Sequence, residues 1–333
     1  MANHLRSLLL ASAALVTASP AFALDVVASI KPVHSLVAAV MEGVGEPALI
    51  VSGSGSEHVH SLRPSDAQAL QNADVVFWIG EGMETYLVSP LGTLSSDAKV
   101  VALADTDGLE KLPLREGGPF EAHEHDHDGH EDGHEHENGH DHSHSDHDHD
   151  HDHDAGHAHE EGHHDLHFWL DPQNAKVLVQ KIETVLSEAD PENSATYAEN
   201  ARRYGERLDQ LVAEVGKELE GAREKPSIVF HDAYQYFEHR FGVNVAGSIT
   251  VSPEVMPGAQ RLNEITERVK SSGATCIFAE PQFEPKLVTV VAEGTGARTG
   301  VLDPLGAELA DGPELYIELI RNMAKSFKDC LSK

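Results

Sequence analysis

The chain has 333 residues, of which 40% are hydrophobic and 5% aromatic, and it carries 56 acidic against 24 basic side chains for a formal net charge of −32. An acidic excess of this size with no basic stripe argues against nucleic acid as a partner, and its field attracts cations. Past the N-terminus no run of about 18 apolar residues occurs, so no membrane anchor is expected in the mature chain.

Residues 1–23 carry Arg6, a short apolar core from Leu8 to Val16, and Ala21-Phe22-Ala23, an A-x-A cleavage pattern. The apolar run is too short to cross a bilayer. The segment therefore reads as a secretory signal peptide, and it implies export, most simply to a bacterial periplasm. No Cys follows the cleavage site, so a lipid anchor there is not supported.

Apolar runs then alternate with helical patterns. Strands are predicted at Asp25–Ile30, Ala48–Val51, Asp74–Ile79 and Lys99–Leu103, with Pro32 at a helix start and Ser65 to Gln68 as a capping box opening another helix. Strand–helix–strand alternation predicts parallel α/β layers.

Glu121 to His164 interrupts this order. It holds 17 of the 24 histidines and 16 Asp or Glu, with no Lys or Arg. Its imidazoles are His123, His125, His127, His130, His134, His136, His140, His142, His144, His147, His149, His151, His153, His157, His159, His163 and His164. Imidazole is the common side-chain ligand of late transition metals, and carboxylates add oxygen donors. A run with so little apolar surface is expected to stay disordered without metal, as an auxiliary metal-binding loop over residues 117–164. HExxH occurs at His130–His134, His136–His140 and His159–His163, but composition alone produces these matches, and they do not indicate a metalloprotease.

After Asp165-Leu166-His167-Phe168-Trp169-Leu170-Asp171-Pro172 a helical pattern runs to about Glu188, and Pro191 breaks it. From Ser194 to Glu220, Tyr197, Ala201, Tyr204, Leu208, Leu211, Val215 and Leu219 recur at three- or four-residue steps. That is one amphipathic helix of about 40 Å, either a coiled-coil arm or a rigid spine between two lobes. Its place midway between two α/β blocks favours the spine. The second block predicts strands at Ser227–Phe230, Asn244–Ile249, Thr275–Ala279 and Thr299–Leu302, and a last helix from about Pro313 to Leu331. The expected organisation is a first lobe over 24–190, a connecting helix over 191–222 and a second lobe over 223–333.

In an oxidising compartment the two cysteines, Cys276 and Cys330, are expected to pair; two lone thiols serving as metal ligands is the alternative.

Outside the tract, three sites combine imidazole with a strand end or an ordered apolar neighbour. Glu57, His58 and His60 lie in a Gly/Ser-rich loop after a predicted strand, where α/β proteins place ligands. If that backbone is extended, His58 and His60 diverge, and only one points at a given metal. His167 precedes an apolar Phe-Trp-Leu segment. His231 ends a predicted strand before a helix expected over Ala233–Arg240, with Asp232 as its orienting partner or the helix N-cap. Glu280 and Asp303 end two further strands, each as ligand, orienting acceptor or turn former. Three histidines and one carboxylate would make a four-coordinate N/O site suited to Zn²⁺.

The segments Glu57 to Asp66, His167 to Pro172, Phe230 to Tyr234, Phe278 to Phe283 and Leu302 to Gly306 together resemble those of the ZnuA-type zinc-binding proteins of bacterial ABC uptake systems, across essentially the whole mature chain. Members carry a His/Asp/Glu-rich loop of variable length at this place. The resemblance implies two (β/α)₄ lobes with parallel sheets joined by a long helix, and a metal site in the cleft between them. It assigns His58, His167 and His231 to the first three ligand positions and Glu57 to the fourth, with Asp303 or water as competitors. His60 falls where many members have an aromatic residue, and so offers a second imidazole beside His58. Cys276 and Cys330 match a disulfide seen in some members. Related manganese binders have an acidic residue where His231 stands, which favours zinc.

The expected function is therefore high-affinity periplasmic zinc binding and delivery to an ABC transporter permease, by a monomer that is not an enzyme. The competing expectations are an exported zinc buffer acting through the tract, a manganese-type uptake protein, and a zinc hydrolase with Glu280 as its base.

Overall fold

Among the described residues, eight short strands form two sheets with the same internal order. A computed structural model of the chain describes residues 24–115, 120, 164–250, 253 and 257–332. The signal segment 1–23 and His123 to His163 of the tract lie outside the described residues. In the first sheet β1 (Val26–Ile30), β2 (Ala48–Val51), β3 (Val75–Trp78) and β4 (Lys99–Ala102) run in the order β2-β1-β3-β4. In the second β5 (Pro226–His231), β6 (Asn244–Thr250), β7 (Cys276–Ala279) and β8 (Arg298–Val301) run β6-β5-β7-β8. Every pairing is parallel. Central β1 and β3 are buried along their whole length, whereas edge strand β4 exposes Lys99 and Val100. That difference is why the central strands read as continuous apolar runs.

Nine helices are present among the described residues: α1 (Lys31–Val40), α2 (Pro64–Asn72), α3 (Thr85–Leu94), α4 (Pro172–Ala189), α5 (Ser194–Glu218), α6 (Gln235–Phe241), α7 (Ala259–Ser272), α8 (Lys286–Thr295) and α9 (Leu315–Leu331). The 25 residues of α5 span about 37 Å. Tyr197, Ala201, Tyr204, Leu208, Leu211 and Val215 form its buried face, which lies against α1, α4 and α9. It is thus not a free coiled-coil arm. Because α1 and α4 follow strands of the first sheet and α9 those of the second, α5 is where the two halves share one continuous core.

Polar ties cross between the halves as well. Lys31, 3% exposed at the start of α1, donates to the carbonyls of Leu309 (2.8 Å) and Ala307 (3.3 Å) and pairs with Asp311 at 3.1 Å. Trp169 Nε1 donates to the Pro304 carbonyl at 3.0 Å, and Tyr316 OH donates to that of Trp169 at 2.6 Å. Cys276 and Cys330 form a disulfide that fixes α9 to β7.

Two local expectations are corrected. The box expected from Ser65 to Gln68 sits two residues earlier: Pro64 is the first helical residue, and Asp66 accepts from the Arg63 N–H at 2.8 Å. Proline at the first helical turn, whose N–H has no intrahelical partner in any case, sets that register. Helix α6 starts at Gln235 with Tyr234 as its N-cap, so Asp232 is not its cap.

Candidate metal centre

The loops at the C-terminal ends of β2, β4, β5 and β7 converge. Glu57 and His58 come from the loop after β2, His167 from the segment leading into the 3₁₀ turn Phe168–Leu170, and His231 from the last position of β5. One potential ligand atom from each of Glu57, His58, His167 and His231 lies within 4.8 Å of the other three. His231 Nε2 is 3.4 Å from His167 Nε2, and Glu57 Oε1 is 3.9 Å from Nε2 of both His58 and His167. A tetrahedral Zn²⁺ with bonds of about 2.0–2.1 Å places its ligand atoms about 3.3–3.4 Å apart, so a small contraction completes the geometry.

The far side of two rings is held by carboxylates. Asp165 Oδ1 sits 2.7 Å from His167 Nδ1 and also accepts the His167 N–H at 2.9 Å. Glu280 places both oxygens 2.8 Å from His231 Nδ1. An ionised carboxylate can only accept, so each Nδ1 carries a proton, and Nε2 is the ring nitrogen each histidine turns toward the cluster for a metal.

Electrostatics point the same way. Burial holds His58 and His167 well below the ordinary imidazole range, so both are neutral at neutral pH and able to offer a lone pair to a metal. Burial also opposes charge on His231, but the carboxylates of Glu280 and Glu57 outweigh it and raise its pKa to about 9. Burial pushes Glu57 up to about 7. Glu57 is fully buried, and neither of its oxygens meets a hydrogen-bond donor of another described residue. A buried carboxylate is costly unless paired or bound to a cation, and a divalent ion among these four donors would remove that cost.

The remaining candidates lie elsewhere. His60 turns away from His58, with Nε2 3.5 Å from Asp66 Oδ2 and its ring 5.7 Å from that of Tyr86. Asp303 holds a turn: it accepts from the N–H groups of Leu305, Gly306 and Ala307 at 2.6–3.1 Å and from Gln282 Nε2 at 2.9 Å. It is not among the four clustered donors. Asp232, expected beside His231, pairs instead with Arg115. Both Glu280 oxygens are turned to His231, which leaves them poorly placed to act as a hydrolytic base. Of the tract, only His164 is described; it forms an antiparallel bridge with Pro113. Sequence reasoning missed Asp165 and Arg115. Asp165 stands two residues before His167 at the ordered end of the tract, a spacing that could have marked it.

Two parallel sheets whose strand-end loops bring three imidazoles and a carboxylate together have the architecture of a two-lobed α/β metal-binding protein. The chain belongs to the ZnuA family, described as "Zinc-uptake complex component A periplasmic", which matches residues 26–330. It is 63% identical over 315 residues to a protein of Brucella suis biovar 1 named high-affinity zinc uptake system protein ZnuA, covering 92% of each chain. It is 35% identical over 306 residues to a protein of the same name from Yersinia pestis, covering 92% of this chain and 91% of the relative. A solved structure titled "Crystal structure of ZnuA" shares the fold with a TM-score of 0.69 at 22% identity, covering 92% of this chain and all of that one.

Proposed function

We propose that this protein is a periplasmic component of zinc uptake that binds Zn²⁺ with high affinity through Glu57, His58, His167 and His231 and delivers it to the permease of an ABC transporter. The observation that carries this reading is the convergence of the four donors from loops of both sheets. Three neutral-capable imidazoles and one carboxylate suit Zn²⁺, whereas Ca²⁺ and Mg²⁺ need more oxygen. The site lies at the junction of two units, so cargo bound there touches both. A permease that separates the two sheets by even a small amount would break the coordination and release the ion. The role requires no chemistry on the cargo, in keeping with a solute-binding protein rather than an enzyme. Residues 1–23 serve as the cleaved export signal, residues 24–190 and 223–333 act as the two lobes, and 191–222 connects them.

The test is zinc-limited growth of a bacterium lacking its own copy of this protein. The wild-type chain should restore growth, and His58→Ala, His167→Ala and His231→Ala should each fail at equal expression. Full restoration by all three would overturn the reading.

A further inference from the structure

Arg115 stands at the end of the arm that leaves β4, and its side chain crosses to the second half of the molecule. Its guanidinium is a four-way clamp. Nε donates to Asp232 Oδ2 at 3.1 Å and Nη2 to Asp232 Oδ1, while Nη1 and Nη2 donate to Glu238 at 3.0 and 2.8 Å. The side chains of Arg115, Asp232 and Glu238 are only 18%, 9% and 13% exposed, so the three charges are largely shielded from water. The Phe120 ring lies 4.0 Å under the guanidinium.

Asp232 follows the metal-site residue His231 directly, and the Ala233 N–H closes a turn onto the His231 carbonyl at 3.0 Å. The same arm reaches the other carboxylate-held histidine. Tyr236 OH accepts from the Leu112 N–H at 3.0 Å and donates to the Asp165 carbonyl at 2.7 Å, and the Asp165 N–H donates to the Leu112 carbonyl at 2.9 Å. Asp165 is the residue that orients His167. One polar assembly therefore holds two of the three imidazoles from behind, and Arg115 supplies its cross-lobe ion pairs.

We infer that Arg115 is a positioning residue for the metal centre: its clamp on Asp232 and Glu238 fixes the turn carrying His231 against the opposing half and so sets how long a bound metal stays. The inference rests on the zinc-binding reading above. Losing the clamp leaves the four donors in place but frees the turn that must move for the site to open. The effect therefore falls on dissociation rather than on association.

The test is stopped-flow measurement of Zn²⁺ association and chelator-driven dissociation on the full mature chain, for the wild type, Arg115→Met, Arg115→Lys and the triple variant Arg115→Met/Asp232→Asn/Glu238→Gln, in which all three side chains are uncharged. Arg115→Met should speed dissociation roughly tenfold or more with association nearly unchanged, and Arg115→Lys should fall between it and the wild type. The triple variant has no unpaired buried charge, so it guards against simple misfolding; dissociation as fast as in Arg115→Met supports positioning by the clamp. Wild-type dissociation in the triple variant, or in Arg115→Met itself, overturns the inference. Failure of the wild type to bind Zn²⁺ would instead sink the zinc-binding reading on which it rests.

Discussion

At the scale of single residues, two of the three clustered histidines, His167 and His231, pair their outer ring nitrogen with a carboxylate. Glu280 accepts from His231 Nδ1 with both oxygens, so it sets the tautomer and the ring plane together. Replacing it by Gln keeps the shape and removes the charge. Zinc affinity of Glu280→Gln should fall roughly 10–100-fold, the usual cost of losing an orienting partner, as read by chelator competition. Protons compete with the metal for the same atoms. His231 titrates near 9 and Glu57 near 7, so below these values each holds a proton that Zn²⁺ must displace. Zinc binding should release close to no protons from this pair at pH 10, about one at pH 8 and about two at pH 6, and affinity should weaken on acidification. Calorimetry in buffers of different ionisation enthalpy counts those protons; a release independent of pH would contradict the assignment. The three histidines were legible because each sits at a strand end or beside an ordered apolar segment. Arg115 was not legible, since nothing in a single sequence distinguishes the last cation before a low-complexity tract. Asp232 was expected to orient His231 or cap the following helix, whereas the part-buried Arg115 takes its carboxylate instead.

At the scale of elements, α5 owes its place to its apolar face rather than its charges. It carries a ladder to α9 made of Arg207–Glu314, Arg321–Glu214 and Lys328–Glu218. These are exposed pairs in water, worth at most about 1 kcal/mol each. Leu208 and Leu211 beneath them are fully buried. In urea unfolding, Leu208→Ala should cost about 2–5 kcal/mol and Arg321→Ala less than about 1 kcal/mol. Equal costs would mean that the ion pairs, not the core, hold α5. Strand positions were readable within a residue or two because most of these strands carry a short run of Val, Ile, Leu or Phe. Helix α3 gave no clear signal, because it carries Pro90 in its interior and its mixed composition lacks a sharp apolar stripe. The start of α2 was misread because Ser65 looks like a cap, while Pro64 had already begun the helix.

At the scale of the whole molecule, two halves of equal strand order are fastened by a shared core and by Lys31 and Trp169 across the junction, while a disulfide ties α9 to β7 within the second half. The disulfide closes a sequence separation of 54 residues. Its removal in Cys276→Ala/Cys330→Ala should lower stability by up to about 4 kcal/mol without changing zinc stoichiometry, checked by denaturant unfolding and metal titration side by side. Loss of zinc binding in that variant would tie the bridge to the site itself. The two-lobed plan was readable from strand–helix alternation on either side of one long amphipathic stretch. The junction was not, because ties such as Lys31 to Leu309 join residues far apart in sequence, and no local pattern marks them.

The most direct test of the account is a chelator-competition titration of Zn²⁺ against Mn²⁺ on mature protein lacking Gly117–His163. The account predicts one tight zinc per chain, held by Glu57, His58, His167 and His231 and not displaced by excess Mn²⁺. Loss of all tight zinc binding, or ready displacement by Mn²⁺, would contradict it and move the metal's principal site to the His-rich tract or its identity away from zinc.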